Sequence, residues 1–156
     1  MVTTRKAFPG TKQISIKAIM AGGALPHRLG LSETLLVFTQ HTAFLGGLES
    51  FLGTISALRC QARETKIIVE ADNSTEALLV ALSGADIVQL DKVAPAELAD
   101  TVSAIREANP NILISAAGGI NETNAAEYAA TGIDIIVLSS VYFGKPADIG
   151  VIIQPV

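Results

Sequence analysis

Short apolar runs alternate with alanine-rich segments along this chain. Five runs rich in Val, Ile and Leu predict strands, at 34–38, 66–70, 86–91, 112–117 and 133–139. The segments between and beside them have helical patterns, near 43–64, 74–84, 95–109 and 122–131. Because the runs are apolar on both faces, they favour parallel strands covered by helices.

The boundaries of these segments carry residues typical of helix ends. Asn73 and Ser74 precede the second helix, Pro95 begins the third, and Gly84 and Gly132 follow two of them. The fourth is predicted to open at Asn121. Repeated βα units form a parallel sheet, which is either doubly wound or curled into a barrel.

Polar residues at the strand ends favour the barrel. They are Glu70, Asp91, Gly118 with Gly119, and Ser139 with Ser140. A barrel builds its site from the loop after each strand, whereas a doubly wound sheet concentrates its ligand at one switch point. A complete eight-unit barrel needs roughly 200 residues or more. We therefore expect an α/β fold, an open or abbreviated TIM-like (β/α) barrel with five or six βα units, in which 149–153 is a candidate last strand.

Composition narrows the class of protein. The chain has 156 residues, 49% hydrophobic and 17% charged, which suits one domain with an aliphatic core. A net charge of −4 argues against a nucleic-acid-binding surface.

The single cysteine, Cys60, excludes an internal disulfide and indicates a reducing, cytoplasmic compartment. No charge-free apolar run reaches the roughly 18–20 residues of a membrane span.

The first 33 residues contain a group of basic side chains. We predict an N-terminal arm and helix over 1–33 and the barrel over 34–156. The basic residues are Arg5, Lys6, His27 and Arg28. They are consistent with a solvated arm and a structural histidine. Alternatively, they form a pocket for carboxylate and phosphate groups, which guanidinium groups bind in bidentate fashion.

Glu70 and Asp91 are the candidate acid groups. Each ends an apolar strand, where a carboxylate serves as a helix cap or a surface ion-pair partner if it has no function. If the two converge over a barrel mouth, they are suited to hold Mg²⁺, which prefers oxygen ligands and substrate phosphates. They are equally suited to stabilise a cationic, oxocarbenium-like transition state.

The glycine turn at Gly118 and Gly119 is the candidate phosphate site. Glycines allow the backbone to approach a ligand, and the helix that follows offers unpaired N–H groups to a phosphate. Tight βα turns also use glycine for geometric reasons alone. Ser139 and Ser140, at the next strand end, are placed to complete a phosphate-binding cup.

Five motifs in order between Thr4 and about Ile149 carry a family resemblance. They are TRKAFPG, AGGALPHRLGLSE, IIVEADN, IVQLDK and ISAAGGIN. Together they resemble the signature of the quinolinate phosphoribosyltransferase superfamily, and LSETLLVFTQH, QLDK and KPADI resemble its ModD branch. The resemblance implies an open α/β barrel that follows an α/β sandwich domain, which this sequence does not contain.

The resemblance also implies an activity and roles for individual residues. The activity is transfer of phosphoribosyl from phosphoribosyl pyrophosphate to a heterocyclic acid, with Mg²⁺ and release of pyrophosphate, by a homodimer or larger homo-oligomer. Carried over to this sequence, the catalytic residues are Lys6, Glu70 and Asp91, with Glu70 and Asp91 near the metal. The acid is bound by Arg5, His27 and Arg28. The 5′-phosphate is bound at Gly118 and Gly119.

The chain departs from the family pattern at four positions. Phe38, Lys92 and Ala117 stand where quinolinate enzymes have Lys, Asn and Ser, and the fourth departure is near Ser139, where those enzymes have Gly. The loss of a cation at Phe38 argues against quinolinate as the acceptor, and Lys92 is a candidate replacement cation for substrate binding. Two alternatives stay open: a barrel that binds phosphate or an oxyanion without catalysis, in connection with molybdate uptake, and an inactive fragment.

Overall fold

Seven parallel strands form a curled half-barrel with helices on its outer face. The computed structural model describes residues 1–30 and 32–155; Leu31, within one motif and the predicted arm, and Val156, at the end of the predicted barrel, lie outside them. The strands are β1 (Val2–Thr3), β2 (Leu25–Pro26), β3 (Thr34–Val37), β4 (Lys66–Ala71), β5 (Ile87–Asp91), β6 (Leu113–Ala117) and β7 (Ile135–Leu138). Their order in the sheet is β2-β1-β7-β6-β5-β4-β3. All neighbours are parallel, so every strand ends at the same rim.

Helices connect the strands. They are α1 (Lys12–Ala21), α2 (Thr39–Thr42), α3 (Leu48–Leu52), α4 (Ile55–Gln61), α5 (Ser74–Leu82), α6 (Pro95–Ala108) and α7 (Ala125–Ala130). Two 3₁₀ turns occupy Ala43–Leu45 and Ser140–Tyr142. No helix within residues 1–30 and 32–155 is both long and apolar enough to cross a lipid bilayer.

The predicted open α/β barrel is confirmed, with local corrections to the predicted elements. β1 and β2 lie in the segment where no strand was predicted, because two-residue strands leave no apolar pattern. The candidate strand at 149–153 is wrong: Ile149, Ile152 and Ile153 are each more than 80% exposed and unpaired. The predicted helix 43–64 is divided into shorter pieces, since Gly46 and Gly47 adopt positive φ angles of 84° and 95°.

The hydrophobic core lies between the sheet and the helices. Its fully buried members include Ile55, Ile67, Val69, Val80, Val88, Leu90, Leu98, Ile105 and Ile114. Because successive side chains of a strand point to opposite faces, the residues next to Val69 and Val88 lie on the concave face. Those residues, Glu70 and Gln89, line the half-barrel interior rather than the core.

Two aspartates repeat one stabilising arrangement at the opposite rim. The Ile67 N–H donates to Asp86 Oδ2 over 2.7 Å, and Arg59 forms a salt bridge with the same carboxylate. The Ile114 N–H likewise donates to Asp134 Oδ2 over 2.7 Å, and Arg106 is its partner at 2.6 Å. In barrels this rim serves stability rather than chemistry.

Replacing Asp86 by asparagine should destabilise the fold by about 1–3 kcal/mol at pH 7, the range for hydrogen bonds to charged groups, because the Asp86 carboxylate is partly buried and accepts two such bonds. Burial raises the pKa of Asp86, but the bonds from Ile67 N–H and Arg59 outweigh it and hold that pKa below its usual value. A depressed pKa contributes stability above the unfolded value of 3.8 that is lost as the pH falls through the folded value. Urea unfolding should therefore show that the unfolding free energy of Asp86→Asn is lower than that of the parent at pH 7, and that this difference is smaller at about pH 2. The exposed control Asp100→Asn should show little loss at either pH; an equal Asp86→Asn deficit at both would contradict this assignment.

Candidate active site

One open cavity of about 790 Å³ lies at the rim where the strands end. All eleven residues singled out in the sequence line it: Arg5, Lys6, His27, Arg28, Glu70, Asp91, Lys92, Gly118, Gly119, Ser139 and Ser140. They come from six strand ends and lie far apart in sequence. The parallel sheet therefore brings the predicted site residues together, although their individual roles stay predictions.

The two short strands place the basic residues at this rim. β1 pairs with β7 and β2, and the Thr4 N–H donates to the Leu138 carbonyl over 2.8 Å. The Tyr142 hydroxyl donates to the Thr4 carbonyl over 2.7 Å. The His27 N–H donates to the Thr3 carbonyl over 2.8 Å. Arg5 and Lys6 thus follow one strand, and His27 and Arg28 follow its neighbour.

Arg5, Lys6, His27 and Arg28 form one side of the cavity, here called the basic wall, and its charged side chains form no salt bridge with a carboxylate of the described residues. Across residues 1–30 and 32–155, no carboxylate lies within salt-bridge distance of Arg5, Lys6 or Arg28. Burial and the neighbouring charge of Arg5 lower the pKa of Arg28 and outweigh the charge of Glu33, which raises it; the guanidinium stays charged near neutral pH. Burial and Arg28 also lower the pKa of His27, which favours its neutral form. Such a wall favours an anionic ligand, and a neutral imidazole can both donate and accept a hydrogen bond.

Glu70 and Gln89 form a hydrogen-bonded pair on the opposite wall. The strands place them side by side, and Gln89 Nε2 donates to Glu70 Oε2 over 2.9 Å. Burial raises the pKa of Glu70, the Gln89 bond lowers it, and Asp91 and Asp72 raise it again, so the net direction is upward. Gln89 is 3% exposed, and its Oε1 has no hydrogen-bond partner among residues 1–30 and 32–155.

Asp91 is paired with the residue that follows it. Lys92 Nζ lies 2.7 Å from Asp91 Oδ2, and the Lys92 N–H donates to the Ala117 carbonyl over 2.8 Å. Lys92 has a φ of 58°, and no other non-glycine residue in ranges 1–30 and 32–155 has a positive φ. This left-handed conformation costs a side chain larger than glycine about 1–2 kcal/mol.

The glycine turn packs directly against this pair. Gly118 is partly exposed with a φ of 85°, and a Cβ there would come within 2.5 Å of both Asp91 Oδ1 and Lys92 Cγ. Gly119 is exposed with a φ of 72°, and a Cβ there would meet nothing within 4 Å. The turn is therefore open to the cavity, and only Gly118 is required by a close approach.

The helix after the glycine turn begins later than predicted. It starts at Ala125, not 122, because Asn124 Oδ1 accepts from the Asn121 N–H over 2.8 Å and Asn121 Oδ1 accepts from the Thr123 N–H over 2.9 Å. Two of the N–H groups expected to be unpaired at this point, those of Asn121 and Thr123, are thus engaged. The Ser140 hydroxyl donates to the Ile120 carbonyl over 2.9 Å and joins the two predicted phosphate loops.

Comparison with known proteins identifies the family. The sequence profile described as "Quinolinate phosphoribosyl transferase, C-terminal domain" matches residues 1–151, nearly the whole chain. The chain belongs to this quinolinate phosphoribosyltransferase family. The match confirms the family inferred from the five motifs.

Relatives and solved structures agree with this membership. The ModD protein of Pasteurella multocida is 42% identical over 151 residues, covering 97% of this chain and 54% of the relative. The carboxylating nicotinate-nucleotide pyrophosphorylase of Rattus norvegicus is 32% identical, over 92% of this chain and 48% of the relative. The structure of the nicotinate-nucleotide pyrophosphorylase from Francisella tularensis superposes with a TM-score of 0.79 at 26% identity, over 90% of this chain and 48% of that one. The chain thus spans about half the length of these relatives.

Sequence reasoning about this family member missed two features of the cavity. Gln89 was treated as part of an apolar strand, and only the register with Glu70 reveals its contact. Thr4 lies at the base of the basic wall, where its Oγ1 is 2.8 Å from Ser139 Oγ. A polar residue at an inward position of a strand was the available signal for Gln89. Nothing in the sequence signalled the Thr4 contact.

Replacing Gln89 by leucine should raise the pKa of Glu70 further, because the bond that favours the carboxylate is lost while burial and Asp91 remain. The measurement is a ¹³C NMR titration of the Glu70 carboxyl carbon. Ser115→Ala is the matched control, since Ser115 is the buried register partner of Gln89 in β6 and bonds to the Val88 carbonyl instead. An unchanged titration in Gln89→Leu, or an equal shift in the control, would refute the coupling.

Proposed function

We propose that this chain forms the catalytic barrel of a phosphoribosyltransferase, which transfers phosphoribosyl from phosphoribosyl pyrophosphate to a nitrogen of a heterocyclic acid. The bond from the anomeric carbon to the pyrophosphate oxygen breaks, and pyrophosphate leaves with the bonding electrons. The ring nitrogen donates its lone pair to the same carbon. The observation that carries this proposal is the convergence of basic side chains, two carboxylates and an open glycine turn on one cavity.

The basic wall is suited to the anionic groups of both substrates. Arg5 and Arg28 are assigned to the carboxylate of the acceptor, since a guanidinium forms two parallel bonds with such a group. Lys6 is assigned to the reacting centre, where a cation stabilises the departing pyrophosphate. Neutral His27 orients the acceptor by a hydrogen bond. Gly118, Gly119, Ser139 and Ser140 are assigned to the 5′-phosphate.

The carboxylates are suited to the positive charge that develops on the ribose. As the bond to pyrophosphate breaks, the anomeric carbon and ring oxygen share a positive charge, and fixed negative groups lower the energy of that state. Glu70 meets this need only when ionised, so its upward-shifted pKa places a lower pH limit on the reaction. Gln89 positions Glu70 through its 2.9 Å bond.

The carboxylate oxygens of the cavity also fit Mg²⁺. Within ranges 1–30 and 32–155 no three His, Cys, Asp or Glu side chains converge, so a cage made of protein alone is not formed. Mg²⁺ is commonly held by one or two carboxylates together with waters and substrate phosphates. Glu70 and Asp91 would hold it. When bound, it neutralises charge on the pyrophosphate.

The acceptor pocket favours an acid less highly charged than quinolinate. Leu36, Phe38 and Val137 supply apolar surface to the same cavity. An apolar side chain cannot compensate the desolvation of a second carboxylate. We therefore propose a heterocyclic monocarboxylic acid as the acceptor.

The test is pyrophosphate release from phosphoribosyl pyrophosphate with a panel of heterocyclic mono- and dicarboxylic acids. We expect turnover with at least one acid, and none when the donor or acid is omitted. Asp91→Asn should reduce that turnover. Donor binding by calorimetry with no turnover on any acid would contradict the enzymatic proposal and support the phosphate-binding barrel instead.

A further inference from the structure

The Lys92–Asp91 pair lies where the proposed metal would bind. Residues adjacent in an extended strand point to opposite faces, so a lysine directly after Asp91 should point away from it. The left-handed backbone of Lys92, with φ 58°, instead turns its side chain back, and Nζ lies 2.7 Å from Asp91 Oδ2. The Lys92 side chain is 77% exposed and that of Asp91 21%. The ammonium therefore covers the carboxylate from the solvent side.

The surroundings hold this arrangement in place. The Lys92 N–H is bonded to the Ala117 carbonyl, and Gly118 leaves the space that Lys92 Cγ and Asp91 Oδ1 occupy. Backbone conformations of this kind persist only when neighbouring structure enforces them, and they concentrate at functional sites.

We infer that Lys92 is a built-in cation that competes with a divalent metal ion for Asp91. While Nζ is bonded to Asp91, one of the two carboxylates of the metal site is neutralised. A divalent ion must displace the ammonium, which is then free to contact the phosphates of the donor. Metal and donor binding are thereby coupled through one side chain. This inference deepens the proposed function and rests on it for the identity of the donor.

The test measures metal binding without turnover. Mn²⁺ serves as the probe, because it prefers oxygen ligands and free Mn²⁺ is quantified by electron paramagnetic resonance. Lys92→Met removes the charge and keeps the length. We expect its Mn²⁺ dissociation constant to fall by about fivefold, the upper range for a partly exposed ion pair. Lys92→Asn, whose side chain tolerates the left-handed conformation, should show the same gain.

Two further variants separate competition from general electrostatics. Lys6→Met removes another cation of the same cavity that has no bond to Asp91, and it should change Mn²⁺ binding by less than about twofold. When Asp91 is already replaced by asparagine, Lys92→Met should not increase the affinity for Mn²⁺, because the carboxylate for which Lys92 and the metal compete is absent. Equal gains in Lys6→Met and Lys92→Met, a gain that persists without Asp91, or no Mn²⁺ binding by any variant would each overturn the inference. Turnover of the parent protein with donor and acid would still support the proposed function in those cases.

Discussion

Replacing Gly118 by alanine should destabilise the protein by about 2–5 kcal/mol and abolish binding of phosphoribosyl pyrophosphate. The positive φ of 85° costs any side chain about 1–2 kcal/mol. The added Cβ would also lie 2.5 Å from Asp91 Oδ1 and 2.9 Å from the Lys92 backbone nitrogen. Backbone cannot move aside as a flexible side chain can, and forced overpacking costs a further 1–3 kcal/mol or so. Urea unfolding and donor calorimetry measure the two effects.

The neighbouring glycine provides the matched control. Gly119 has a similar φ of 72°, yet a Cβ there would meet nothing within 4 Å. Gly119→Ala should therefore lose only the conformational term of about 1–2 kcal/mol. If the two variants were equally stable, the close approach of Gly118 to Asp91 and Lys92 would not be a determinant of this turn.

The strands and the rim could be predicted because their signals are local. Each of β3 to β7 contains a short apolar run, and three of these strands end at or next to a polar residue, namely Glu70, Asp91 and Ser139. Once the strands are parallel, their ends must meet at one edge. Glu70 and Asp91 were predicted to converge by this reasoning, and both line the one cavity.

The remaining features depend on contacts between distant residues. β1 and β2 are two residues long. β1 forms because β7 and the Tyr142 hydroxyl offer partners from more than 130 positions away, and β2 in turn pairs with β1. The exposed run 149–153 has the composition of a strand but no neighbouring edge that pairs with it. Apolar pattern alone cannot distinguish these cases, because a strand requires a partner as well as a sequence.

The pairings of Glu70 and Lys92 show the same limit at the level of single side chains. The sequence places a carboxylate at the strand end, but the Gln89 bond follows from sheet register. The left-handed backbone of Lys92 follows from the absence of a side chain at Gly118, 26 positions later. The sequence was enough to predict which residue types line the site, whereas the raised pKa of Glu70 and the Lys92–Asp91 pair could be found only from the folded structure.

Glu70→Gln should reduce turnover by about a hundredfold or more, the loss typical when one fixed electrostatic contact to the transition state is removed. The amide retains the size of the side chain but carries no charge. In the parent protein, turnover should fall as the pH drops through the raised pKa of Glu70, since protonation removes the same charge. Glu107→Gln, the same change at an exposed position of α6, should leave turnover unchanged. Equal turnover in both variants would show that Glu70 has no part in the reaction.

The same Glu70→Gln variant should lose turnover but gain stability relative to the parent protein. Because the folded pKa of Glu70 is raised above its unfolded value of 4.5, the fold binds this proton more tightly than the unfolded chain does. Stability therefore falls as the pH rises from the unfolded value to the folded one. The charge-free variant escapes that loss, so relative to the parent it should gain stability between acid and neutral pH, as measured by urea unfolding across that range. If Glu70→Gln loses turnover but gains unfolding free energy relative to the parent between acid and neutral pH, the Glu70 carboxylate is needed for the reaction and not for the fold. If Glu70 were purely structural, its replacement would lower turnover and unfolding free energy together.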